Sequence, residues 1–488
     1  MEESPLSGSA IAMRRPRAAR RGARIGLDEG VRRGLAQAWA PANQARTTVF
    51  AAALLLTLAA ALFGGASQAN ALSLMAVELA SLPLLFVSLY QLLAGGAPQG
   101  ARWPLALLVA IVAVPLLQLV PLPASVWTGL PGRGAIPDIL DVAKLGRPSM
   151  PFSLTPEQTW RSAMALAPPA AMFLGALLLS EGQRRALAGC WLAMAVVSLV
   201  VGALQMLSGP DSALYFYRIT NAGSAVGLFA NRNHQAALLF CLMPLAGAFA
   251  ARFDGDFRDR RAFAALLAVL YVLVAIVDVG VTRSRAGLFL GVFALAAAAA
   301  VVVRGGAPRR HWRAAAATGG VTLAIIAAVL VVGLTPILAR FDGGYVEPRF
   351  QDWPLVVKAA GDFMPLGSGV GSFETVYNSV EPLGDVGPFY FNHAHNDYLE
   401  LWLETGVVGP ALALLFAAWL VMRMASVWAG KAASGDRDLA AGASLLLLLL
   451  LAHSAVDYPL RTEALAVLFA FACAAIAAYG RPEKRVTP

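Results

Sequence analysis

Stretches of about twenty apolar residues, the length that crosses the hydrocarbon core of a bilayer, dominate this chain. They recur at roughly 47–66, 70–94, 103–121, 161–180, 186–208, 234–251, 262–282, 286–303, 314–336, 398–422, 439–458 and 463–480. The expected fold is therefore all-α: a polytopic integral membrane protein with about twelve transmembrane helices. Composition agrees, since 58% of the 488 residues are hydrophobic and 14% charged, with a mean hydropathy of +0.65. Soluble globules carry nearer half apolar and a quarter charged residues.

Short loops rich in Lys and Arg stay cytoplasmic. Most of the 38 Lys and Arg lie in 1–46, 95–102, 181–185, 252–261, 304–313, 423–438 and 481–488. Both termini are thus expected inside, with 122–160 and 337–397 on the far side, the periplasm in a bacterial inner membrane. The formal charge of +9 then reflects topology and implies no nucleic-acid partner. The expected organisation is a basic tail (1–46), helices one to nine (47–336), a long periplasmic catalytic loop (337–397), helices ten to twelve (398–480) and a cytoplasmic tail (481–488). In the first tail Leu27, Val31, Leu35 and Trp39 recur every four residues. An interfacial amphipathic helix and a disordered basic tail both fit. Cys190, Cys241 and Cys473 fall inside apolar runs and read as small buried hydrophobes.

The segment 122–160 is rich in Pro and Gly and ends in a turn and helix cap at Ser153–Glu157. The segment 337–397 is too long for a plain connector. Two short amphipathic helices joined by the glycine run Gly367–Gly371 are expected on it, the first presenting Phe350, Trp353, Val357, Ala360 and Met364 on one face. The glycine run lacks the Lys-Ser/Thr and preceding strand of a P-loop, and reads as a structural turn.

Arginines outside the membrane run against the charge bias: Arg218, Arg232, Arg283, Arg285, Arg340, Arg349 and Arg461. Guanidinium groups at a lipid boundary, with few acids beside them, suit a pyrophosphate; snorkelling to lipid headgroups is the other reading. Two of five histidines sit in Asn392-His393-Ala394-His395-Asn396-Asp397. His393, His395 and Asp397 do not form a strong metal set, because helical or irregular backbone would not point all three one way and no further His or Cys completes a ligand set. His395 reads better as a general base or polar anchor, since imidazole exchanges protons near neutral pH. His453 and Asp457 are one helical turn apart at the end of an apolar run. An internal pair and a direct substrate role stand equally for them, as for Asp278 and Glu78.

These residues resemble the O-antigen ligase and polymerase superfamily of membrane glycosyltransferases. The match is carried by His395-Asn396, nine residues, then Gly406-Val407-Val408-Gly409, an H-N-x9-G-x-x-G pattern. Further matching stretches are Gly227–His234, Ser284-Arg285-Ala286-Gly287, Pro365–Phe373 and His453–Pro459. The resemblance implies an inverting transferase that takes a glycan from undecaprenyl pyrophosphate on the periplasmic face, without nucleotide sugar, metal or other cofactor. The acceptor is lipid A core, another lipid-linked repeat or a protein hydroxyl. His395, Arg285 and Arg232 occupy the motifs held essential in related ligases. Arg283, Arg218, Arg349, His393, Asn396, Asp397, His453, Asp457 and Arg461 are expected around the pyrophosphate or glycan. A lipid-linked oligosaccharide flippase or other transporter is the competing class. Transporters tend to show repeated halves and midplane sites, whereas here the helices group unevenly as three, six and three and the charges gather at one boundary.

Overall fold

The computed structural model describes residues 41–66, 70–96, 98, 100–252, 268–269, 271–272, 274–275, 284–305, 348–384, 386, 391–430 and 435–480. The chain divides into two units, residues 1–45 and 46–488, and nearly all the described residues belong to the second. That unit is mostly helical, with one two-stranded ribbon among the described residues.

Seven helices among the described residues are long and apolar enough to cross a membrane: Arg46–Phe63, Ala71–Gly95, Pro156–Leu178, Glu181–Ser208, Arg232–Ala250, Ala286–Arg304 and Val408–Ala429. Two further apolar runs form shorter helices, Arg102–Gln118 and Glu463–Ala478. Another, Gly435–His453, opens with Asp436, Arg437 and Asp438. The expected spans 314–336 and, for the most part, 262–282 lie outside the described residues, as do Asp278, Arg283, Arg340 and the tails 1–40 and 481–488.

One expected span is corrected. The run 398–422 is not a single helix: it breaks at Gly406, which takes φ +57, into a short helix Asp397–Thr405 and the longer Val408–Ala429. Likewise the run 439–458 ends as helix at His453, so Asp457 lies in the turn beyond it.

At the centre stands Arg232–Ala250, buried on almost every side from His234 to Ala248, as expected of a helix that is apolar all round. Small residues let its neighbours approach closely. A Cβ on Gly247 would lie 2.7 Å from the Ala298 carbonyl oxygen, and one on Gly442 equally near that of Pro244. Helices 232–250 and 435–453 run antiparallel, which gives the bundle two chemically distinct ends. At one end Arg184 pairs with Asp436 (3.0 Å), and Arg252 with Glu181 (3.2 Å) and Asp438 (3.7 Å). At the other end lie His234, His453 and Asp457.

At that second end the two expected short helices are present, as Pro348–Asp362 and Phe373–Val380. The buried face of the first is not the expected one. Val356, Ala359 and Ala360 are buried with Phe373, Val376, Tyr377, Ala394 and Leu403, while Val357 is exposed. This helix packs on its protein neighbours, and their positions set the face it buries. The intervening glycine segment is gripped by the 122–160 region and by Gln118 at the end of helix Arg102–Gln118. Leu154 N donates to Ser368 O (3.0 Å), Thr159 Oγ1 to Val370 O (2.6 Å), and Val370 N to Gln118 Oε1 (2.8 Å). That region carries an antiparallel ribbon, Pro121–Leu122 against Met150–Pro151.

Candidate active site

The spacing of the H-N-x9-G-x-x-G pattern has a physical reading in the fold. The nine intervening residues are the helix Asp397–Thr405 itself. Asn396 caps its start, the side-chain oxygen accepting from Tyr398 N (3.0 Å) and Leu399 N (3.2 Å), which satisfies donors that a first turn leaves open. Gly406 closes its end in a left-handed conformation that spares a Cβ clash, and a Cβ there would overlap the Pro365 carbonyl. The pattern thus delivers a rigid short helix with His395 immediately before its cap.

His395 itself takes φ +48, a region that non-glycine residues rarely enter. Its Nδ1–H donates to Asp457 Oδ1 at 3.1 Å. The Asp457 side chain is fully buried whereas His395 is 21% exposed, so the imidazole is the accessible member of the pair. Burial alone would raise the Asp457 carboxyl, but the His395 hydrogen bond and the neighbouring His234, His453 and His395 imidazoles hold it well below the usual carboxylate range. An ionised carboxylate on Nδ1 fixes the tautomer and leaves Nε2 to accept a proton.

Two motifs far apart in the chain meet here. Asn233, in the first turn of helix Arg232–Ala250, donates through Nδ2 to Asp457 Oδ2 at 2.6 Å. The Tyr458 hydroxyl lies near the side chains of Asn231 and Asn392. The Tyr458 ring lies 4.3 Å from that of His393, 5.0 Å from His395 and 5.0 Å from His234. Phe391 adds a second aromatic neighbour to His395 at 5.5 Å.

Arg232 and Arg285 each occupy the first position of a helix, after the caps Asn231 and Ser284. Arg232 is partly buried, its backbone N–H bound to Asn221 Oδ1 at 3.0 Å. A helix start adds the positive end of the dipole to the guanidinium charge. Arg349 holds the second position of helix Pro348–Asp362; the side chains of Arg285 and Arg349 lie outside the described residues, as does all of Arg283. Arg218 is exposed in the loop that leads to Asn231.

Several residues expected around substrate are instead committed to the protein. Arg461, placed among arginines with few acids beside them, is enclosed by three: Asp397 Oδ1 (3.5 Å), Glu400 Oε1 (3.1 Å) and Glu404 Oε2 (3.0 Å). These three carboxylates supply the partners of its guanidinium. His393 donates to Glu400 Oε1 (2.8 Å), Asn396 is the helix cap, and Asp397 N donates to Ser454 O (2.8 Å). His453 is fully buried against Phe240. The His453–Asp457 spacing does bring the pair near, at 3.9 Å, but Asp457 turns to His395 and Asn233.

The sequence reading gave no role to Asn233 or Tyr458, and it noted Glu400 and Glu404 as acid/base groups after His395 without their pairing to Arg461. A signal existed for the acids: Asp397, Glu400 and Glu404 are three and four residues apart, one helical face, and such a face in an apolar chain demands a buried cation. Nothing local marked Asn233, whose partner is 224 residues away.

No curated protein matches the chain. The family model described as O-antigen ligase matches residues 270–416, a stretch that includes Ser284-Arg285, the glycine segment and the entire H-N-x9-G-x-x-G pattern, so that this part of the chain is similar to the O-antigen ligase family.

Proposed function

We propose that the chain transfers a glycan from undecaprenyl pyrophosphate to an acceptor hydroxyl, as a ligase or polymerase at the outer face of a bacterial inner membrane. The observation that carries this reading is the junction of His395, Asp457 and Asn233, which brings a poised imidazole beside the helix start that bears Arg232. His395 Nε2 takes the proton of the acceptor hydroxyl as its oxygen attacks the anomeric carbon. The bond from that carbon to the pyrophosphate oxygen breaks, and the departing charge is met by Arg232, Arg285 and their helix N-termini. Attack opposite the leaving group inverts the anomeric centre. Asp457 orients the imidazole and stabilises its protonated form, as an ion-paired carboxylate does in a hydrolase triad.

The test is transfer by purified protein given undecaprenyl-pyrophosphate glycan with and without lipid A core. Product that requires the core is expected of a ligase, and a ladder from donor alone of a polymerase. His395→Ala should abolish either product, and Asp457→Asn should lower its rate by roughly a thousandfold. Undiminished transfer by His395→Ala would remove the imidazole from the mechanism.

A further inference from the structure

Asp457 is the hub of the candidate site, and its two oxygens are differently served. Oδ1 accepts from His395 Nδ1 (3.1 Å) and from the backbone N–H of Tyr458 (3.0 Å). Oδ2 accepts from Asn233 Nδ2 at 2.6 Å, the shortest of these contacts. Asn233 is itself fixed, because its backbone N–H donates to the cap oxygen of Asn231 at 2.8 Å. Its neighbour Arg232 begins the same helical turn. One rigid first turn therefore carries both an arginine expected to meet the donor and the amide that holds the carboxylate behind the base.

We infer that Asn233 is a positioning residue for the His395–Asp457 pair, which by occupying Asp457 Oδ2 sets the orientation of His395 and limits its proton affinity. The inference rests on the proposed role of His395 as base. Its physical content is charge sharing: hydrogen bonds to ionised groups are roughly twice as strong as neutral ones, and each donor on a carboxylate reduces the charge that its other partners feel. Removing the amide leaves Asp457 more negative toward His395, which stabilises the imidazolium and raises the pH at which His395 gives up its proton. A leucine at 233, close to asparagine in size, would act in the same direction because it removes the amide and donates nothing in its place. The other groups facing the pair are His453 from the end of helix 435–453, Tyr458 from the Asp457 turn, His393 from the His395 loop and His234 from the central helix; both variants leave all four in place.

The experiment is to follow carbethoxylation of His395 by diethyl pyrocarbonate against pH, read by peptide mass, in detergent-purified wild type, Asn233→Ala and the near-isosteric Asn233→Leu. The reagent attacks neutral imidazole, so the midpoint reports His395 whatever reaction the protein performs. Both variants should move the midpoint upward by about one pH unit, the size that loss of one charge-assisted hydrogen bond implies. Transfer measured on the same preparations should show the maximal rate of Asn233→Ala reduced on the order of tenfold, with the acid limb of its pH profile displaced alongside the midpoint. An unmoved midpoint in either folded variant overturns the role of Asn233, with or without loss of transfer. A shifted midpoint in protein whose wild type transfers no glycan upholds the role of Asn233 and defeats the glycosyltransferase reading instead.

Discussion

His395 sits in a left-handed backbone conformation that costs an L-residue about 1–2 kcal/mol, and such strain gathers where surrounding contacts over-determine a residue. Here those contacts are Asp457 on Nδ1 and the rings of Tyr458 and Phe391. Two residues on, the same loop stores a proton. Burial pushes the Asp397 carboxyl up to about 7 against the pull of Arg461, because one guanidinium cannot fully compensate three adjacent carboxylates. An unfolded aspartate titrates near 3.9, so between about pH 4 and 7 the folded protein holds a proton that the unfolded chain has released. The stability Asp397 contributes is complete below that window and is lost as pH rises through about 7. Asp457, with its carboxyl held low, has the opposite sign and contributes above the ordinary carboxylate range. Asp397→Asn should therefore gain thermal stability relative to wild type as pH goes from 5 to 8, measured as Tm in detergent. A difference in Tm that is the same at both pH values would mean Asp397 is not holding that proton.

The helix Asp397–Thr405 turns a sequence pattern into geometry, and Gly406 is its most constrained position. At φ +57 a side chain is strained whatever the space, and the added Cβ would meet backbone atoms of Pro365 and Leu366 that cannot swing aside. Gly406→Ala should cost on the order of 2 kcal/mol or more from backbone conformation alone, and should shift the cap that carries His395. Lower recovery of monodisperse protein is expected, together with reduced transfer per folded molecule; wild-type values for both would show that the break in the apolar run is not needed. The break at Gly406 was not legible, because a lone glycine within an apolar run does not by itself end a helix, and the pattern was recognised by resemblance alone. Seven of the apolar runs were legible as spans, since composition over twenty residues is a local property. The ribbon Pro121–Leu122 with Met150–Pro151 was not, since two-residue strands containing proline carry no alternation to read. Nor was the grip of Gln118 on the Val370 backbone, because a glutamine at the end of an apolar run looks the same whether it meets water or a loop 252 residues away.

The antiparallel pairing of helices 232–250 and 435–453 separates an ion-paired end from a histidine-bearing end by about 27 Å, the rise of a nineteen-residue helix. Arginines concentrate near the first, and the charge bias of short loops predicts that this end faces the cytoplasm. On the proposed function the second faces outward, where a lipid-linked glycan reaches His395 without nucleotide supply. In a variant with Cys190, Cys241 and Cys473 replaced by alanine, single cysteines can report this directly. Leu145 and Leu383 are 70% and 93% exposed in the segments that surround the His395 end. Gly182 is exposed beside the Arg184–Asp436 pair, with nothing near its absent Cβ. Leu145→Cys and Leu383→Cys should react with a membrane-impermeant maleimide in intact spheroplasts, and Gly182→Cys only after permeabilisation. The reverse pattern would put His395 on the cytoplasmic side and exclude transfer at the outer face. A shared pattern at all three positions would contradict a bundle whose two chemically distinct ends lie on opposite sides of a membrane.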